Sequence, residues 1–369
     1  MILQADPGRS FKTLEKEIQS AVSRVLQSGW YILGKENENF ENSFAAYNQS
    51  RYCLGTANGT DSIELILRAL DIGPGDKVAT VGNTATATVS AIERAGAEVR
   101  FVDIEPGKFT MSAASLEELL SGESGVKAVV VVHLFGAPAD LDRLLEITKK
   151  YNIFLIEDCA QAHGAEYHGK KCGTFGIAGS FSFYPTKNLG AFGDGGAVIT
   201  NDGKLYEKMT AIRQYGWQRR YISEFTGINS RLDEIQAAIL SVKLPSIDDL
   251  NEKRRNIAAQ YRKNLTDIGD IILPVEPENT RHVYHQFVIR VKDGKRAALI
   301  AYLKENGIGT AIHYPEAIPL QPGYKKIPLI CSLAETLKVN EEILSLPMYP
   351  ELTDEEVCKI ISAIRSFFK

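Results

Sequence analysis

The run VKAVVVVHLFGA, residues 126–137, is apolar at nearly every position and rich in β-branched side chains. A strand with one wet face alternates apolar and polar residues, so an unalternating strand is covered on both faces. Its neighbours say what covers it. DLDRLLEITKKYN, at 140–152, has helical spacing, and IFLIEDCA, at 153–160, is a further apolar strand. Upstream the same alternation runs through RYCLGTAN (strand), TDSIELILRAL (helix), GPGDKVATVG (turn and strand), TATVSAIERAGA (helix) and EVRFVDI (strand). This βα repetition predicts an α/β fold with a mostly parallel sheet wrapped by helices.

SFSFYP and GAVIT are two more short strands, and long helical patterns follow them. The pattern changes near Pro245. Beyond residue 270, HVYHQFVIRV and IGTAIHYP read as strands, and KRAALIAYLKENG and TDEEVCKIISAIRSFF as helices. The last of these opens on a capping box, Thr353 to Glu356. We therefore expect a large domain over 1–245, including an N-terminal segment, and a smaller α+β domain over 246–369.

Composition removes several classes of function. Lys and Arg total 42 against 46 Asp and Glu, a net charge of −4 with no basic block, which argues against nucleic acid. The five cysteines are scattered, without a CxxC or Cys/His cluster, so we expect no metal and reduced thiols in a cytoplasm. The N-terminus turns polar at once, and the apolar runs are too short to span a bilayer.

Ligands of α/β sheets sit beyond the carboxyl ends of the strands, and three such ends carry polar residues. In TANGTDSI, Gly59 and Thr60 lie where a strand turns into a helix. They offer either an anion site or a plain cap. In LIEDCAQAHGA, Asp158 ends a strand with Gln161 three residues on. Asp158 either meets a cationic partner or caps the next segment. In GSFSFYPTKNLGAFGDGG, Lys187 stands between aromatics and glycines with no charged neighbour before Asp194. Alone, Lys187 reads as a solvated turn lysine. Ser182 and Tyr184 share a face of the preceding strand, and Pro185 is expected to break that strand so that Lys187 turns back. Glycines 190, 193, 195 and 196 leave room for close approach to the backbone. Taken together, an anion cradle, a carboxylate and a lysine in poor charge company suit pyridoxal 5′-phosphate. That cofactor needs a Schiff-base lysine, an acid at its pyridine nitrogen and an anion site.

EDCAQAHGA, GSFSFYPTKNLGAFGDGGAVIT and GINSRLDEIQAAIL together resemble the nucleotide-sugar aminotransferases of the DegT/DnrJ type, over nearly the whole chain. The resemblance implies fold type I, pyridoxal phosphate passing through its pyridoxamine form, and a homodimer with active sites at the subunit interface. It makes Lys187 the covalent anchor and proton carrier, Asp158 the partner of the pyridine nitrogen and Gln161 a neighbour of the phenolic oxygen. Gly59, Thr60 and Ser182 match phosphate contacts, and Asn229 matches an asparagine reaching the phosphate from the partner subunit. Tyr184 and His313 match positions near the sugar. Arg219 and Arg220, in YGWQRRY, either contact an anionic substrate or lie in a solvated loop. Many relatives carry a ring-stacking aromatic where this chain has Ala85, which leaves the stacking residue open. The segments around Lys187 and Arg219 resemble the subgroup that aminates carbon 3 of dTDP-linked 3-oxo-6-deoxyhexoses with L-glutamate as donor. The alternatives are amination at carbon 4 or of a UDP-sugar, and a non-catalytic regulatory protein that binds the cofactor.

Overall fold

A computed structural model describes all 369 residues. Seven strands form the central sheet, in the spatial order Tyr52–Thr56, Gly196–Thr200, Ala178–Ser182, Phe154–Asp158, Val126–Val132, Lys77–Val81 and Glu98–Val102. Gly196–Thr200 runs antiparallel to both its neighbours, and every other adjacent pair is parallel. The unalternating valine run is explained by what lies above and below it. Ala128 and Val130 pack into one core, with Val78, Phe101, Ile156 and helices Gly59–Ala69 and Thr86–Arg94. Val129 and Val131 pack into a second core on the opposite face, with Ala79, Leu155 and helices Ala113–Gly122 and Leu141–Tyr151. Residues one apart face opposite ways, so only an apolar residue fits at each position. Each fully buried valine contributes about 1.5–3 kcal/mol.

A third core binds Phe287–Val291 and Ile343–Leu346, paired antiparallel, to helices Ile247–Leu265 and Asp354–Phe367. Ile2 joins this core and bridges Ile308, so the chain's start lies against its C-terminal part. The capping box at Thr353 and Glu356 is present with both of its hydrogen bonds.

Two expected strands come out differently. HVYHQFVIRV forms a strand only over Phe287–Val291. IGTAIHYP forms none: Ile308 and Ala311 make isolated bridges, to Ile2 and Ser345. The segment is wedged between the first residues and the strand Ile343–Leu346, and each neighbour offers it a single pairing position.

Candidate active site

The carboxyl ends of the strands open into a cavity of about 370 Å³. Gly59, Thr60, Asp158, Gln161, Ser182, Tyr184, Lys187 and His313 all line it. The strands of the sheet bring all of these residues but His313 to its carboxyl edge, and His313 comes from the C-terminal part.

Strand Tyr52–Thr56 feeds the helix that begins at Gly59. Asn58 caps this helix by accepting the N–H of Asp61 at 2.8 Å. The first amides of a helix have no intrahelical acceptor, so those of Gly59 and Thr60 are left toward the cavity at the positive end of the helix dipole. Glycine is required at 59 because a Cβ there would stand 2.8 Å from the Cβ of Ser182. The helix start and the end of strand Ala178–Ser182 therefore close into a cradle of amides and hydroxyls, the donor set a phosphate needs.

Asp158 ends strand Phe154–Asp158, opposite Val132 and Ser180 in the flanking strands. It is 5 % exposed. One oxygen accepts the hydroxyl of Thr88 at 2.8 Å and the other the N–H of Ala160 at 3.1 Å. Glu157, one residue earlier, faces the other way. It accepts N–H bonds from Gly173, Phe175 and Gly176. His133 Nδ1 accepts the N–H of Ala139 at 3.1 Å, so its proton sits on Nε2 and is donated to Glu157 at 3.1 Å. Cys159 lies beside this pair, and the three side chains have metal-ligand spacing. The lone pairs of Glu157 and His133 are already committed to these bonds.

The Gln161 amide is held in one orientation. Its Oε1 accepts the N–H of Phe135 at 2.6 Å and its Nε2 donates to the hydroxyl of Tyr314 at 3.3 Å. Burial and the charge of Asp158 push the Tyr314 phenol up to about 12, so it stays neutral.

The strand before Lys187 stops short of Pro185, where the break is expected. The strand ends at Ser182, and a turn bond from Lys187 N–H to the carbonyl of Tyr184, 2.8 Å, redirects the chain. Removal of the ammonium from water pulls its pKa from 10.5 down to about 8, against the opposing pull of Asp158. Three histidines surround this region in neutral form. Burial drives His163 to about 3 and lowers His285 and His313, with Lys187 adding to each shift. His285 was missed in the sequence. Asn188 donates from its Nδ2 to Asn251 Oδ1 and to the Val283 carbonyl, which fixes its amide orientation. Its oxygen therefore accepts from His285 Nδ1 at 3.1 Å, and His285 Nε2 is left unprotonated in a residue that lines the cavity.

Asn229, Arg219 and Arg220 lie outside this cavity. Asn229 is exposed and bridges Gln214, while Arg219 and Arg220 sit on an exposed hairpin, with Arg220 over the ring of Tyr221. Ala85 lines the cavity, and no aromatic residue lies near it in the chain.

The family model described as the DegT/DnrJ/EryC1/StrS aminotransferase family matches residues 12–365. The chain is 46% identical over 353 residues to the dTDP-3-amino-3,6-dideoxy-alpha-D-galactopyranose transaminase of Aneurinibacillus thermoaerophilus, covering 96% of each. It is 42% identical over 371 residues to a "pleiotropic regulatory protein" of Geobacillus stearothermophilus, covering 99% of this chain and 98% of the other. Its fold superposes on the crystal structure of S. venezuelae DesV in complex with a ketimine intermediate. The TM-score is 0.96 at 38% identity, over 100% of this chain and 98% of that one.

Proposed function

The chain belongs to the DegT/DnrJ/EryC1/StrS aminotransferase family, and from that premise we propose that it transfers an amino group to carbon 3 of a nucleotide-linked 3-oxo-6-deoxyhexose, a dTDP-sugar, with L-glutamate as donor. The observation that carries the reading is the convergence of Lys187, Asp158 and the amide cradle of Gly59, Thr60 and Ser182 on one cavity. Pyridoxal 5′-phosphate is the cofactor of the family, and the donor set fits it. Lys187 would anchor it, Asp158 would hold the proton on its pyridine nitrogen, Gln161 would meet its phenolic oxygen and the cradle would take its phosphate. When bound, it supplies an electron sink for the carbon that loses a proton.

The rest of the chemistry falls to this chain. With its pKa near 8, Lys187 spends part of its time as free amine at neutral pH. Lys187 Nζ would take the proton from the α-carbon of the amino donor and hand it on to the cofactor within the same half-reaction, and in the second half-reaction it would carry a proton the other way, onto the sugar carbon that receives the nitrogen. The keto-sugar enters only after 2-oxoglutarate has left, so the kinetics are ping-pong. Tyr184 and His313, which both line the cavity, are the proposed sugar contacts. Arg219 and Arg220 are proposed to bind an anionic substrate.

We propose a homodimer in which Asn229 serves the partner's cradle. Its exposed position outside its own cavity supports this, as do the exposed Trp30, Tyr31, Tyr221 and Ile222. No helix is long and apolar enough to cross a membrane, and a cytoplasmic location is proposed. A domain division at Pro245 is proposed, on the ground that one core is built, Ile2 apart, from residues beyond it.

A second reading, cofactor binding without turnover, draws on the name of the Geobacillus relative. One assay separates these readings. Purified protein is given L-glutamate, then dTDP-3-oxo- or dTDP-4-oxo-6-deoxyhexose, and the product is identified by mass and NMR. The 3-amino sugar is expected. Turnover of the 4-oxo sugar alone would overturn the carbon assignment, and a yellow protein that glutamate does not bleach would favour the regulator.

A further inference from the structure

We propose that Thr88 is a positioning residue for Asp158, and that Thr84, Thr88 and Asp158 form a one-way hydrogen-bond chain whose accepting end lies in the active-site cavity. The inference deepens the proposed function, since it rests on Asp158 as partner of the pyridine nitrogen.

Thr88 lies in the first turn of helix Thr86–Arg94 and is fully buried. Threonine is a weak helix former, and in helices its hydroxyl ordinarily bonds back to its own turn. Here it reaches across to the sheet and meets Asp158 Oδ2 at 2.8 Å. Thr84 Oγ1 stands 3.2 Å from Thr88 Oγ1. These contacts fix the direction of every bond. A carboxylate only accepts, and Asp158 already takes the N–H of Ala160 on its other oxygen. Thr88 has one hydroxyl proton and must donate it to Asp158. The Thr88 oxygen can then only accept, so the Thr84 proton points to Thr88. Thr84 is 2 % exposed and lines the cavity, and the lone pairs of its oxygen are what it has left to offer there.

Two consequences follow for this active site. The two anchors on Asp158, a helix hydroxyl and a backbone amide, come from different elements and hold both carboxylate oxygens, so its plane cannot rotate without breaking one. The Thr84 oxygen also presents an acceptor to the cavity, so a substrate group seated there must be a donor, an ammonium or a hydroxyl. A carboxylate or phosphate at that spot would face a lone pair.

The test compares Thr88→Val, Thr88→Ser, Thr84→Val and Asp158→Asn with the wild type. The readouts are pyridoxal 5′-phosphate affinity of the apoprotein, absorbance of the bound cofactor against pH, and kcat and KM for L-glutamate. Valine keeps the shape of threonine and removes the donor. Thr88→Val is expected to weaken cofactor binding about tenfold and lower kcat about tenfold, the scale of one hydrogen bond to a charged group. The absorbance profile moves and the KM for glutamate stays put. Thr88→Ser restores both affinity and profile. Thr84→Val gives a smaller change in the same direction. If Thr88→Val loses only melting temperature, with affinity and absorbance profile unchanged, Thr88 is structural and the inference falls. If Asp158→Asn loses affinity while Thr88→Val does not, the inference alone fails. If Asp158→Asn itself binds and absorbs as wild type, the reading of Asp158 fails with it.

Discussion

Lys187 carries a folding cost that can be measured without any catalysis. Its ammonium moves from an ordinary pKa of 10.5 to about 8 in the folded chain, chiefly through loss of water. At roughly 1.4 kcal/mol per pH unit, that drop corresponds to about 3 kcal/mol of lost stability. Lys187 faces an open cavity, so water screens part of this and about 1–2 kcal/mol is the expected reading. The sign is set by the proton count. Below pH 8 both folded and unfolded chains hold the proton and the full cost applies. Between 8 and 10.5 the unfolded chain holds more of it, so stability rises with pH, and above 10.5 the cost is gone. Lys187→Met keeps an unbranched side chain one atom shorter and removes the charge. In the apoprotein it should therefore raise the unfolding free energy at pH 7, and this advantage should shrink on moving to pH 10. Urea unfolding of both apoproteins at the two pH values measures the difference, and groups common to both cancel. A difference that stays flat from pH 7 to 10, or a Lys187→Met protein weaker than wild type at pH 7, would refute the desolvation argument.

Gly59→Ala should push the helix start away from Ser182, whose Cβ the new methyl would approach to 2.8 Å. Overpacking of this kind costs about 1–3 kcal/mol. Titration of the apoprotein with pyridoxal 5′-phosphate should show affinity reduced about tenfold or more, and unchanged affinity would remove Gly59 from the cradle. Glu157→Gln should destabilise the fold by about 2–3 kcal/mol at pH 7, because an NH₂ group then faces backbone N–H donors. Burial works to raise the Glu157 pKa, but His133 and the amides of Gly176 and Gly173 outweigh it and leave it below the usual 4.5. Its stabilising effect is therefore present above pH 4.5 and lost as pH falls through the lower folded value. Thermal melts from pH 7 to 3 should show a shallower acid loss in the variant than in the wild type.

What the sequence made legible was periodic or local. The unalternating valines require a sheet covered on both faces, and the two cores meet that requirement residue by residue. That the strand breaks before Lys187 followed from counting residues along a pleat, although it ends at Ser182 and not at Pro185. IGTAIHYP reads as a strand, but pairing depends on neighbours, and Ile2 and Ser345 are remote in sequence. Thr88 was invisible for the same reason, since its partner lies 70 positions away. The two adjacent acids were half legible. A strand sends Glu157 and Asp158 to opposite faces, and only Asp158 was assigned a partner. The partners of Glu157 are backbone amides of the loop Gly173–Gly176, which no side-chain pattern announces.

The glycines after Lys187 do something other than what their sequence suggests. Their sequence suggests room for a ligand against the backbone. In the structure they make room for the protein's own chain. A Cβ at Gly190 would stand 2.4 Å from the carbonyl oxygen of Pro185, and one at Gly196 2.4 Å from the carbonyl carbon of Asn58. At Gly195 it would press on Leu232 and Phe183, and at Gly193 on the amide of Gln236. Gly190 thus lets the chain fold back under the turn that aims Lys187. Gly196 lets strand Gly196–Thr200 sit against the loop that delivers Gly59 and Thr60 to the cavity. A larger residue at either position would not block the cofactor directly. It would separate the lysine's turn from the start of the helix at Gly59, and the ammonium and the amides there would lose their common cavity.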